Sequence, residues 1–332
     1  MAARGFRLPG GLLAMIAALP ALAQDVADFY RGKTVTIIVG AGEGGFYDQN
    51  ARLMAPFLRK YIPGSPTVIT QNMPGASQLR ATEHAYNIAP RDGTALLVAQ
   101  PYVILNKILN RDLKFEISRM SWIGRAGQID MGGLVSDSSP VKTFDDARRM
   151  EVILGGNAAN GPASMIPWAL NRLAGARFRV ILGYQSESAE GLAIERGEIQ
   201  GIGNGSLGDL GARHKVRVLY SSGVARIKAY PDTPTILELV DGAERPVMDI
   251  LGSMSTLGLT LAGAPDIPAD RLAALRGAFD QMSRDPAYLA GLARLNFEPG
   301  PMKGAELADY VRAHFIPPDA LIERLRRATA PQ

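Results

Sequence analysis

The strongest constraint on this chain is the stretch Thr34–Asp48, TVTIIVGAGEGGFYD. Val35, Ile37, Ile38 and Val39 form a short apolar run of the kind that makes a buried strand. Gly40, Gly42, Gly44 and Gly45 follow, and Ala51, Leu53, Met54, Phe57 and Leu58 then recur at helical spacing. A strand, a glycine turn and a helix start form a unit that holds ligands. The glycines admit a small molecule to the backbone. The helix start offers unpaired N–H groups and the positive end of its dipole, which suits a carboxylate or phosphate.

Gly40-x-Gly42-x-x-Gly45 also matches the dinucleotide fingerprint, which requires an acidic residue roughly 20 positions on to hold the ribose. Here the second strand ends in Gln71-Asn72, and the nearby acids Glu43 and Asp48 lie within the loop itself. The confirming context is missing.

Residues 1–23 read as a secretory leader. They combine basic Arg4 and Arg7, an apolar stretch from Leu12 to Leu19, and Ala21-Leu22-Ala23 before Gln24. A periplasmic location follows as the expectation, with cleavage near Ala23. Among 332 residues there is no cysteine, so no disulfide or thiol chemistry. The formal charge is +4, and without the two leader arginines 34 basic residues face 32 acidic ones. They are scattered, which argues against a nucleic-acid surface. His84, His214 and His314 fit no metal spacing, and there is no Gly-x-Ser-x-Gly elbow.

The rest of the chain reads as alternating strands and helices with short connections, hence a mostly parallel sheet covered by helices. Strands are expected at Thr67–Thr70, Ala95–Ala99, Ser121–Gly127, Glu151–Gly155, Arg179–Leu182, Val216–Ser221 and Thr256–Leu261. The turn Gly155–Gly161 repeats the opening device in a second half. Two helices close the chain, Ala269–Asp285 and Ala305–Arg327, the latter broken at Pro317-Pro318. Two α/β halves imply two lobes, with ligand beyond the carboxyl ends of their strands.

Several segments, in order, resemble the tripartite tricarboxylate transporter receptors, the Bug or TctC-like family of periplasmic solute receptors. They are Phe29–Val35, Gly44–Asp48 with Ala51-Arg52, Gln71–Ala76, Ala89–Thr94, Glu195–Glu198 and Pro231–Thr235. The resemblance implies an α/β, two-lobed type II periplasmic-binding fold with two crossover strands and an interlobe ligand cleft. It implies capture of a small organic acid and its delivery to a membrane permease, with no cofactor and no catalysis, by what is expected to be a monomer. One lobe is expected over 24–124 and 251–332, the other over 125–250. Relatives carry glycine-rich turns where this chain has Tyr184–Glu187 and Ala158–Gly161.

Ligand contacts are expected from Ala41, Gly42, Gly44, Gly45, Phe46, Tyr47 and Asp48 in the first loop. Gln100 follows the third strand. Asn157 and Asn160 belong to the repeated turn, and Tyr184, Gln185 and Ser186 to the turn after the next strand. Loops 40–48, 71–77, 155–164 and 183–188 hold no Lys or Arg, while Glu43, Asp48 and Glu187 would repel an anion. The expected ligand thus carries at most one carboxylate, held by N–H groups, with room for an amine, amide or aromatic part. The alternative is an exported nucleotide-dependent oxidoreductase or hydrolase using the Gly40–Gly45 loop.

Overall fold

The computed structural model describes residues 26–184, 186–208, 215–295 and 297–332, the side chain of Ser77 excepted. The leader, Gln185 and His214 lie outside the described residues.

The opening unit forms as its pattern dictates. Strand β1 (Thr34–Val39) feeds helix α1 (Phe46–Tyr61), which starts at Phe46 because Gly45, in an extended conformation, is its N-cap. Ala51, Met54, Ala55 and Leu58 are the buried stripe of α1. Strand β2 (Thr67–Asn72), helix α2 (Leu79–Asn87), strand β3 (Ala95–Ala99) and helix α3 (Pro101–Leu109) follow, then β4 (Ser121–Gln128). Every residue of β3 is buried, as in a central parallel strand.

The second half repeats this. It comprises β5 (Met131–Ser136), α4 (Phe144–Arg149), β6 (Val152–Gly156), α5 (Pro162–Ala174), β7 (Phe178–Leu182), α6 (Glu187–Glu195), β8 (Gly201–Ser206) and β9 (Val216–Ser221). The chain then forms α7 (Arg245–Leu257), β10 (Thr260–Gly263), α8 (Ala269–Met282), α9 (Pro286–Arg294), β11 (Glu298–Lys303), α10 (Gly304–His314) and α11 (Asp319–Thr329). The strand expected at Thr256–Leu261 is therefore the end of a helix and the start of a strand. Val247, Met248, Ile250, Leu251, Met254 and Leu257 are buried at helical spacing, and Gly258 (φ 47°) breaks the helix before β10.

One sheet runs β11-β4-β10-β3-β1-β2 and the other β7-β6-β8-β5-β9. Strands β1, β2 and β3 are parallel, with β10 inserted antiparallel between β3 and β4. In the other sheet β6, β7 and β8 are parallel, with β5 inserted antiparallel between β8 and β9. Apart from edge strand β11, the two sheets share one order, and this is the two-lobed plan expected from the sequence. The chain crosses between sheets at Ile129-Asp130 and returns through α7. Ties across the first crossover run from the Leu207 N–H to the Asp130 carbonyl (2.9 Å) and from the Ser222 N–H to the Met131 carbonyl (2.8 Å). Buried Arg125 on β4 donates to the carbonyls of Thr256 at the end of α7 (2.6 Å) and Gly300 (2.8 Å). Its cation thus satisfies a helix C-terminus beside the crossover.

The second lobe packs closely through small residues. A Cβ on Gly203 of β8 would collide with the Ala163 carbonyl oxygen of α5, so only glycine lets this helix settle on the sheet. One hydrophobic cluster is continuous across both halves. It joins Leu97 and Trp122 of the first to Leu154, Met165 and Tyr220 of the second, through Leu251 and Met254 of α7 and Ile322 and Leu325 of α11. A separate cluster fills the space between β1, α1, α8 and α9.

Candidate functional site

Helices α1 and α3 follow β1 and β3, neighbouring parallel strands, so their N-termini emerge at one edge of the first sheet. Helices α5 and α6 follow β6 and β7 at the matching edge of the second. The two edges face each other. Asn204 Nδ2 on β8 donates across the gap to Tyr102 Oη on α3 (3.2 Å), and the Ser222 hydroxyl donates to Asn204 Oδ1. Asn204 and Ser222 are buried. Burial pushes the Tyr102 and Tyr47 hydroxyls well above the ordinary phenol range, and the Glu187 carboxylate of α6 adds to both shifts. Glu187 of the second lobe is therefore near enough to these tyrosines of the first for its charge to be felt. Its Oε1 accepts from the Ser206 N–H (3.1 Å).

Beside this contact lie two adjoining cavities of about 450 and 770 Å³. The smaller is walled by Phe46 and Phe297 from the first lobe, Asp130 from the crossover, and Ser206 and Tyr230 from the second. Phe46 packs edge-on to Phe297 at 4.3 Å and to Tyr47 at 5.1 Å. Burial raises the Asp130 carboxyl above its usual range, with Glu298 nearby adding to it. Of the predicted contacts among the described residues, only Phe46 lines this cavity.

The first loop is held from within. Asp48, 1% exposed, accepts from the Gly44 N–H (2.8 Å), Arg52 Nε (2.8 Å) and Asn72 Nδ2 (2.8 Å). Burial alone would raise this carboxyl. The bonds from Arg52, Gly44 and Asn72 outweigh it and hold the group below the usual carboxylate range. Asp48 thus braces the loop instead of presenting an oxygen to ligand, and Arg52 cancels the repulsion expected of it. Asn72 Nδ2 also donates to the Ala41 carbonyl (3.0 Å). Asn72 therefore occupies the end of β2, where a dinucleotide site needs its acid, and its amide is spent on the loop. Gly40 and Gly42 carry no side chain to fill the turn, and Gly45 caps α1 with no side-chain bond to the helix. The first N–H groups of α1 thus receive no side-chain cap.

Gln100 is 2% exposed and neither atom of its amide has a partner. It is the N-cap of α3, two residues before Tyr102, and makes no capping bond. Gln78, which sequence reasoning missed, presses against the glycine loop. A Cβ on Gly40 would come within 2.7 Å of Gln78 Cβ, and Gln78 Oε1 is buried without a partner. Gln78 (φ 74°) and Ala76 (φ 47°) both hold left-handed backbone in that turn, a strain of about 1–2 kcal/mol per residue. Pro74-Gly75 signalled the turn, but no local signal marked which side chain would face Gly40.

On the second lobe, Asn157 and Asn160 are exposed, and Asn157 Oδ1 accepts from the Ala158 N–H (2.8 Å), closing its own turn. The Ser186 hydroxyl accepts from the Ala189 N–H (3.2 Å) as the N-cap of α6. Tyr184 is half-buried. Gln185 lies outside the described residues. One turn into α6, Glu190 is 4% exposed with Oε1 unpartnered. Burial, and then the charge of Glu187, pushes its carboxyl up to about 8.

Among the described residues no group of His, Cys, Asp and Glu is placed to hold a metal, and no helix is long and apolar enough to cross a membrane. Ser253, His314 and Asp249 do approach one another, but Ser253 Oγ (3.3 Å) and Asp249 Oδ2 (3.2 Å) both meet the same imidazole nitrogen, Nδ1. A nucleophile and its orienting acid need opposite nitrogens.

No protein-family model matches the chain. A UPF0065 protein of Bordetella bronchiseptica is 24% identical over 268 residues, 79% of this chain and 76% of that protein. Three solved structures superpose on 90% of this chain and 99% of their own. They are a TctC solute binding protein from Polaromonas (TM-score 0.66, 17% identity), an R. palustris protein with adipate (0.66, 19%) and MatC from Rhodopseudomonas palustris with bound malate (0.64, 16%). The fold is that of the TctC and BugD periplasmic binding proteins, as the sequence motifs implied.

Proposed function

We propose that this chain is an extracytoplasmic solute receptor. It closes its two lobes on a small organic acid, holds a carboxylate at the open N–H groups of α1, changes nothing in it, and hands it to a tripartite tricarboxylate-type membrane permease. The observation that carries the reading is Gln100, a buried amide at the end of β3 with both its atoms unpartnered. A buried polar group without a partner costs about 1–3 kcal/mol, which a ligand supplying the missing bonds would recover. The uncapped start of α1 beside it suits the carboxylate. The leader-like segment 1–23 supports a periplasmic location. Fold neighbours with adipate and malate support an organic acid, though their two carboxylates exceed the one expected here.

Thermal-shift and calorimetric screening against a panel of organic acids tests the proposal. A receptor at about 100 times its Kd gains roughly 2.7 kcal/mol by mass action, with no turnover of the ligand. In Gly45→Val the added side chain crowds the α1 start, its Cβ 3.3 Å from the Gly42 carbonyl oxygen. Affinity should fall at least about tenfold, the worth of one charge-assisted bond, while the unliganded melting point holds. Equal affinity in this variant would remove the glycine loop from the site.

A further inference from the structure

The loop from Gly40 to Gly45 is braced on three sides. Asp48 holds the Gly44 N–H from α1, and Asn72 holds the Ala41 carbonyl from the end of β2. The third brace is Gln78, in the turn between β2 and α2. Its backbone N–H and carbonyl bond Gly75 and Thr82, not the loop. It meets the loop by bulk instead. A Cβ on Gly40 would lie 2.7 Å from Gln78 Cβ and 3.3 Å from Ala81 Cβ of α2, so the stem of Gln78 occupies the room that Gly40 leaves. Around Gly42 and Gly44 there is open space where a Cβ would stand, so the loop has little packing of its own.

Keeping Gln78 in that place costs the fold stability. Its backbone is left-handed (φ 74°), as is that of Ala76 (φ 47°), and these are two of the four non-glycine residues with left-handed backbone among those described. A Cβ makes that region unfavourable. The Gln78 side chain makes no capping bond to α2, and its Oε1 is buried without a partner. Strain and an unmet acceptor at one residue, with nothing returned to the helix beside it, mark a place where stability is given up for function.

We infer that Gln78 is a positioning residue for solute capture. It acts through Gly40, as a wedge that keeps the glycine loop standing off α2, in the shape in which the start of α1 can receive a carboxylate. The inference rests on the receptor reading and adds to it the side chain that sets how much of the time the loop is ready. A protein whose competent shape is populated only part of the time binds more weakly in that proportion. A wedge therefore governs how fast solute is captured, whereas a side chain that touched the solute would govern chiefly how slowly it leaves.

Three variants of the intact receptor test this. Gln78→Gly removes the wedge and relieves the left-handed backbone, so its unliganded melting point should equal or exceed the parent's. The N–H groups of Gly44 and Gly45, bonded to Asp48 and to the Gly42 carbonyl, should exchange hydrogen about tenfold faster as the loop opens more often. In stopped-flow binding of malate, adipate and butyrate, association should slow about tenfold while dissociation stays within about twofold of the parent. Gln78→Asn tolerates the same backbone and keeps a Cβ at the same point, and should associate at the parent rate. Gln78→Gly combined with Gly40→Ala returns a methyl to the same space from the loop side, and should bring both exchange and association back towards the parent. If the loop of Gln78→Gly exchanges at the parent rate, if dissociation changes in place of association, or if the double variant behaves as Gln78→Gly alone, the inference is overturned while the receptor stands. If none of the three acids binds the parent, the receptor reading falls and takes the inference with it.

Discussion

Asp48 carries more of the first loop than any glycine in it. Its carboxylate joins the loop backbone at Gly44, the side of α1 at Arg52 and the end of β2 at Asn72. Asp48→Asn keeps the shape but removes the charge and one acceptor. We expect a loss of about 1–3 kcal/mol in urea unfolding, the cost of a buried donor left unmet. An unchanged midpoint would mean that the loop holds without this brace. Glu190 behaves in the opposite sense. Its folded value of about 8 lies above the unfolded value of about 4.3. The folded state therefore holds a proton that the unfolded state gives up, so its contribution is fully present below about pH 4 and is lost as pH rises to 8. Glu190→Gln should melt higher than the parent at pH 8 and equal to it near pH 4. Parallel melting curves at both pH values would show that Glu190 is already solvated.

The contact between α3 and β8 joins the lobes at one polar point, Tyr102 to Asn204. Tyr102→Phe should shift the open-closed ratio by about 1 kcal/mol, roughly fivefold. Small-angle scattering of the unliganded protein would register this as a larger radius of gyration, and an unchanged radius would remove the contact from the closing equilibrium. Elements of this kind divide sharply in how much the sequence reveals of them. β1, the glycine turn and α1 were legible because periodicity and turn chemistry act within a few residues. The places of Gly45, Phe46 and Tyr47 followed. Asn72, Gln78 and Asn204 were not legible, since each gains its role from a partner 24 to 102 residues away or 38 positions distant across a turn. Ser186 and Asn157 show the reverse, local bonds that the sequence reading did not assign to them. Both are polar residues near a helix start, and capping or turn closure claimed their oxygens first. Helix α7 was obscured by its Gly252, Ser253, Ser255 and Thr256, weak helix formers that burial against α3 and α11 overrides.

At the scale of the molecule, the two sheets are joined by more than their crossovers. Helix α11 lies against α5 of the second lobe, although α8, α9 and β11 before it belong to the first. Ile322, Leu325 and Ala328 enter the shared cluster with Met165, Ala169 and Leu170. Arg172 of α5 grips the carbonyls of Ala328 (2.9 Å) and Ala330 (2.6 Å), and Asn171 bonds Gln332 (2.7 Å). Removing residues 319–332 would uncover an apolar stripe on α5 and orphan its polar rim. We expect the truncated protein to collect in the insoluble fraction, and a soluble truncation with the parent melting point would show that the tail is dispensable.

That last helix also dictates a timetable. A chain made from its N-terminus delivers α5 long before the segment that covers it, some 150 residues later. Until the final turn emerges, the second half has a bare flank and no means of closing it. The second half is therefore made whole by a piece that emerges long after its own strands and helices, and a ribosome that stalls short of residues 319–329 leaves that flank uncovered.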